Sequence, residues 1–211
     1  MSKTSQVFEP MTVFEAPAAL LPGANMDTDQ IIPGRFLKKD RAQGYGQYLF
    51  YDARFDETNQ PRPTHPLNAD LKPSILVVQE NFGCGSSREG AVYALVDYGV
   101  RALIGTTFGD IFHNNCFKNG VLPVKLQPAD HARLVQHLQQ SGATMTVDLL
   151  AQQVLWAQDQ ASFEVDAFWK ECLTQGLDEL SLTLSYQAEI DQFETQYREA
   201  YPWLGSTKPA A

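Results

Sequence analysis

The sequence is poor in the features that mark several protein classes. No apolar run approaches the ~18 residues of a membrane span, and the first 20 residues lack a basic segment followed by an apolar one. Neither a membrane anchor nor a secretory signal is expected. Cysteine is scarce: Cys84, Cys116 and Cys172 are odd in number and widely spaced. That argues against a disulfide framework and suits a reducing cytoplasm. The cysteines also lack the grouped C-x2-C spacing of an iron–sulfur ligand set. Basic charge is in deficit, 16 Lys and Arg against 25 Asp and Glu, a net charge of −9. No basic stripe is available for nucleic acid.

The acid excess is concentrated. Residues 159–199 hold ten acids and two bases, interleaved with Phe163, Phe168, Trp169, Leu173 and Leu177. Such a stretch reads as solvated helix faces or as a docking surface for a partner subunit.

What is present is a globular chain of 211 residues, 44% hydrophobic and 19% charged, with no internal repeat and no low-complexity tract. It reads as one mixed domain over residues 1–211. Residues 7–19, rich in Val, Phe and Thr, predict one or two short strands. Residues 26–33 read as a loop with a core contact at Ile31 and Ile32. Residues 38–73, broken by repeated Gly and Pro, predict a long irregular excursion anchored by Tyr45, Tyr48, Phe50, Tyr51 and Phe55. Strands at 75–79, 101–106 and 121–126 alternate with helices at 87–98 and 109–119, stopped by Gly99 and Gly120. This order predicts a parallel βαβαβ core with right-handed crossovers. A helix over 130–140 stopped by Ser141-Gly142, a hairpin of 144–149 with 153–157, and helices over 166–175 and 187–201 complete the reading, with 176–184 between the last two helices.

Chemistry concentrates at 81–90, N-F-G-C-G-S-S-R-E-G, a strand-to-helix turn. A dinucleotide fingerprint fails because Arg88 stands where its third glycine belongs. A phosphate-binding P-loop fails for want of lysine, and a nucleophile elbow needs G-x-S-x-G. Cys84 as a nucleophile would need a base, and His113 is the tempting candidate. Ser86 and Glu89 form an S-x-x-E capping box, so Ser86 could simply cap a helix. The same geometry suits an anion: amides at a helix start, glycines that permit close approach, and the planar fork of Arg88 for a carboxylate. A serine there would have its alkoxide stabilised. Residues 25–41 add Asp27 and Asp29 beside four basic residues in seven positions, 35–41. Metal binding by the two aspartates is conceivable, but an EF-hand's further ligands and glycine are missing.

Several blocks together carry a resemblance: D-T-D-Q-I-I-P with F-L-K (27–38), N-F-G-C-G-S-S-R-E (81–89), A-L-V-D-Y-G-V-R-A-L-I (94–104) and F-G-D-I-F-H-N-N-C-F-K-N-G-V-L-P (108–123). In order and at domain-scale spacing, they resemble the isopropylmalate isomerase small-subunit family, related to the swivelling C-terminal domain of aconitase. The resemblance implies an α/β fold of that swivelling β/β/α kind. It implies a hydro-lyase that converts 2-isopropylmalate to 3-isopropylmalate in leucine biosynthesis. It implies Ser86 as base, Ser87 and Arg88 on substrate carboxylates, Asp29 at the edge of the site, and Lys38 near the part of the substrate that distinguishes relatives. It further implies a [4Fe–4S] cluster on a large partner subunit, in a heterodimer or heterotetramer, with no metal on this chain. The family pattern S-R-E-H-A-P-W-A-L is departed from at Gly90, Val92 and Tyr93. That departure leaves open a different 2-hydroxy acid, such as a methylmalate or homocitrate-like compound, and a non-catalytic carboxylate-binding protein is the reading from another class.

Overall fold

The computed structural model describes residues 7–70, 72–140 and 143–204. Its elements in chain order begin with strand β1 (Val13–Leu20), the single-turn helices α1 (Thr28–Ile31) and α2 (Tyr51–Arg54), and β2 (Ile75–Val77). Then come α3 (Glu89–Tyr98), β3 (Ala102–Gly105), α4 (Asp110–Lys118), β4 (Leu122–Lys125) and α5 (Pro128–Gln140). The chain continues with β5 (Ala143–Asp148), β6 (Gln153–Trp156), β7 (Asp159–Ser162), α6 (Ala167–Gln175), α7 (Glu179–Ser185) and α8 (Gln187–Ala200).

The described strands form a seven-stranded sheet of order β4-β3-β2-β1-β5-β6-β7. The first four are parallel neighbours and β5 to β7 run antiparallel. The expected β2–α3–β3–α4–β4 unit is therefore present with parallel strands. Its apolar runs follow from burial on both faces, where alternation has no solvent side to mark. In β2 and just beyond, Leu76 and Val78 point into one core with Leu95, Leu103 and Phe82, whereas Ile75 and Val77 enter another with Ile104, Leu122 and Leu134. Successive side chains thus serve opposite faces. Helix α3 lies on the first face through Ala91, Val92, Ala94 and Leu95, while α5 and α6 cover the second through Leu134 and Leu173. Full burial of a Leu such as Leu95 or Leu134 is worth about 1.5–3 kcal/mol.

Residues 7–19, expected to give one or two short strands, give one, β1, which begins at Val13. Other expectations are corrected. Residues 26–33 contain α1, because the Asp27 carboxylate caps it by accepting from the Gln30 amide at 2.8 Å. The 176–184 stretch contains α7, capped by Asp178. Its Ser and Thr content and exposed Leu180 and Leu184 hid the helical period. Strand β7 was not anticipated, since of its four residues only Ala161 is buried and backbone pairing with β6 defines it. Gly99 ends α3 at φ 104°, in the left-handed region, as expected of a glycine stop. The Ser141-Gly142 stop lies outside the described residues. Among its described residues, the 38–73 excursion contains short turns of helix and an isolated bridge of Phe55 with Pro61, pinned by buried Tyr45, Leu49, Phe50 and Leu67.

Candidate active site

Three loops leave the carboxyl ends of β1, β2 and β3 and meet. The β1 loop docks on the β2 loop through a parallel bridge between Asp27 and Cys84. Supporting backbone bonds run from Asn25 N to Glu80 O (2.9 Å), Gly83 N to Met26 O (2.7 Å) and Thr28 N to Cys84 O (3.0 Å). The Asn81 side chain donates to Asn25 Oδ1 at 2.7 Å. The β3 loop joins through a bridge between Phe82 and Phe108 and through Gly109 N to Phe82 O at 2.9 Å. In open α/β sheets, ligands bind outside this edge.

The 83–86 turn depends on glycine. Gly83 and Gly85 hold φ of 72° and 88°, which other residues rarely adopt. They carry the chain past Ser86 without starting the helix, and this overturns the capping box. The N-cap of α3 is Arg88, which makes no side-chain cap, and the helix begins at Glu89. Glu89 instead accepts from Asn119 Nδ2 at 3.1 Å. The Ser86 carbonyl accepts from the hydroxyl of the buried Thr28 at 3.1 Å. The Ser86 side chain is exposed, and among the described residues its hydroxyl has no hydrogen-bond partner. It borders a cavity of about 270 Å³ between residues 83–86 and residues 109–112 at the start of α4. The first amides of a helix lack intrahelical acceptors and carry its positive pole.

Arg88 donates through Nη1 to Asp29 Oδ1, an ion pair spanning 59 residues of sequence. Gly34 lies against it: a Cβ there would stand 3.4 Å from Asp29 Oδ1 and 3.5 Å from Arg88 Nη1. Of the five residues picked from sequence, Asp29 and Arg88 are thus in direct contact. Ser86 and Ser87 are exposed on the adjoining turn. Lys38 is exposed in the turn after Phe36 and makes no hydrogen bond or ion pair with the other four among the described residues. The sequence reading missed Thr28, Asn25 and the first turn of α4. Thr28 lay in the quoted D-T-D block, but that its hydroxyl anchors Ser86 depends on a tertiary contact.

Cys84 and His113 do not form a pair. The Cys84 thiol points to Asn25 O at 3.5 Å. His113 packs edge-on against Phe117 and tilted against Phe108, with centroids 5.1 and 5.9 Å apart, and burial together with Lys125 holds its pKa down to about 4. Cys116 and Cys172 are buried, and burial pushes both thiols up. Among the described residues, no three His, Cys, Asp or Glu side chains are grouped to hold a metal ion. Among them too, no helix is long and apolar enough to cross a membrane.

Comparison with known proteins agrees with this topology. Residues 14–129 match the family model of the aconitase C-terminal domain, and residues 181–206 match that of the C-terminal domain of the 3-isopropylmalate dehydratase small subunit. The 3-isopropylmalate dehydratase small subunit of Bacillus subtilis (strain 168) is 48% identical over 191 residues, covering 89% of this chain and 96% of that protein. Its counterpart in Rhodopseudomonas palustris (strain TIE-1) is 45% identical over 196 residues, 91% and 98% of the respective chains. A crystal structure of 3-isopropylmalate dehydratase from Methanocaldococcus jannaschii shares the fold, with a TM-score of 0.64 at 24% identity over 86% of this chain and 99% of that one. With relatives aligned along nearly their whole length, the chain belongs to the family of 3-isopropylmalate dehydratase small subunits, built on the aconitase C-terminal domain.

Proposed function

We propose that this chain is the small subunit of a 3-isopropylmalate dehydratase. In that reading it serves leucine biosynthesis in the cytoplasm by exchanging 2-isopropylmalate and 3-isopropylmalate through dehydration and rehydration. The whole chain, residues 1–211, acts as one swivelling domain that brings half of an active site to a large subunit. The observation that carries the reading is the contact of Arg88 with Asp29, two residues along the chain from an exposed Ser86 that borders an open cavity at the carboxyl edge of parallel strands.

The chemistry asked of these residues is modest in kind. The Ser86 alkoxide takes the proton from the carbon next to the one that loses hydroxide. Its charge is offset by Arg88 and by the amides that open α4. Arg88 gives Asp29 one nitrogen and keeps further N–H donors for a substrate carboxylate, so Asp29 orients the fork. Ser87 adds a hydroxyl to the same carboxylates, and Lys38 faces the substituent that distinguishes one malate from another. Departure of hydroxide needs an electrophile. The cysteines of this chain do not fit a cluster, two being buried and none grouped, so a [4Fe–4S] cluster is assigned to the large subunit.

An exposed serine in water is a poor base, so the site needs a cover. Helix α8 is suited to finding one. It buries none of its residues, exposes Phe193 (63%) with Tyr197, and leads to Trp203 (71% exposed). Its acids Glu189, Asp191, Glu194 and Glu199 face a single base, Arg198. That favours a partner surface that is apolar with a basic rim, and it disfavours a second copy of this acidic chain.

Ser86→Ala, assayed with the large subunit, is expected to lower turnover by about 10²–10⁴-fold, the usual share of a general base. Association of the two chains should be unchanged. Retained turnover would remove Ser86 from its role, and a preference of the pair for 2-methylmalate or homocitrate would overturn the substrate.

A further inference from the structure

Residues 34–46 run along one face of α3, and their contacts repeat at helical spacing. Leu37 lies over Gly90, where a Cβ would stand 2.5 Å from Leu37 Cδ2 and 3.8 Å from Tyr45 Cε2. One turn on, Arg41 covers the Tyr93 ring with Cζ 3.5 Å from its centroid, and its guanidinium lies 4.0 Å from Asp97. The Tyr45 amide donates to Asp97 Oδ2 at 2.8 Å. Gly46 then presses on the last turn, where a Cβ would come within 2.5 Å of Tyr98 N. Positions 90, 93 and 97 share one helix face.

The segment is closed on itself around one residue. The Tyr45 hydroxyl lies within donating distance of the carbonyls of Leu37 (3.2 Å) and Lys39 (2.9 Å), which bracket Lys38. At its start, Gly34 touches the Arg88–Asp29 pair. Helix α3 therefore carries Arg88 at its N-cap and, two residues later, the seat of the loop that bears Lys38. Glycine weakens a helix interior, and here its missing side chain is what Leu37 occupies.

We propose that Gly90 is a positioning residue, whose bare Cα seats Leu37 on α3 and so sets where Lys38 stands relative to Ser86 and Arg88, and with it which malate substituent the site accepts. This rests on the dehydratase reading above. Any side chain at 90 meets the far end of a flexible leucine, so the loop yields while the fold stays.

The test is Gly90→Ala in the two-subunit enzyme. We expect KM for isopropylmalate to rise about threefold or more with kcat within about twofold, and the preference over 2-methylmalate to shift. Leu37→Ala empties the contested space, so the double variant should lose less than the two single changes combined. Unchanged KM and preference, or strict additivity, overturns the proposal, as does a change confined to Tm. A second measurement needs no substrate: trypsin should cut the isolated Gly90→Ala chain after Lys38, Lys39 or Arg41 several-fold faster than the unaltered chain, and equal rates overturn the seat. If the unaltered pair ignores isopropylmalate, the functional reading fails while the tryptic comparison still decides this one.

Discussion

At the scale of single residues, the site is held open by side chains that are absent. A Cβ on Gly109 would stand 2.5 Å from the Gly83 carbonyl oxygen, and one on Gly83 would meet the Phe112 ring at 2.2 Å. The obstacle at Gly109 is backbone, so no change of rotamer relieves it. Gly109→Ala is expected to cost about 1–3 kcal/mol in a urea titration and to lower turnover further by shifting the 83–86 turn. Thr28→Val tests the same turn from the other loop. It keeps the shape but deprives the Ser86 carbonyl of its donor, for a loss of about 1 kcal/mol. The sequence announces the kinds of group at this site, a serine, an arginine and an aspartate suited to carboxylates. It does not announce that Asp29 meets Arg88. That contact follows from the bridge of Asp27 to Cys84, a tertiary event with no local signature. Nor does S-x-x-E reveal that two glycines at positive φ delay the helix to Glu89.

At the scale of elements, α5 braces the strand that feeds the site. His131, buried on α5, donates from Nε2 to the Val78 carbonyl at 2.8 Å just beyond β2. His131→Leu leaves that carbonyl unpaired and should cost about 1–3 kcal/mol, read as a lower urea midpoint with unchanged slope. Two other histidines make stability depend on pH. Burial, with Arg54 near His65 and Lys125 near His113, holds each at about 4 against an ordinary 6.5. Between those values the unfolded chain binds more protons than the folded one, so stability is full above pH 6.5 and falls as pH drops toward 4. Thermal melts across that interval should show Tm falling by several degrees, and His113→Phe, which suits its place between Phe108 and Phe117, should make the slope shallower. The βαβαβ unit was legible because buried strands are uninterrupted apolar runs and Gly99 and Gly120 punctuate the helices. Strand β7 and helix α7 were not, because each buries a single residue, Ala161 or Leu182, and leaves little pattern to read.

At the scale of the whole molecule, helix α8 at the acidic C-terminal end buries none of its residues, in contrast to α6, which packs on the sheet that carries the site. A chain ending at Tyr186 should keep its Tm, since α8 buries none of its residues, but should no longer co-elute with the large subunit in size-exclusion chromatography. Unimpaired co-elution would place the contact elsewhere. Within the acid excess at 159–199, α6 is seated on the core through Leu173, whereas α8 buries no residue.

The strand order has a consequence for how the chain is made. Strand β1 is central, joined to β2 on one edge and to β5 on the other. The Asp29–Arg88 pair and the loops around Ser86 all lie before residue 113, so a chain emerging from the ribosome can assemble them while β5 is still inside the exit tunnel. Until Ala143–Asp148 emerges, β1 offers an unpaired row of amides and carbonyls to any neighbouring nascent copy.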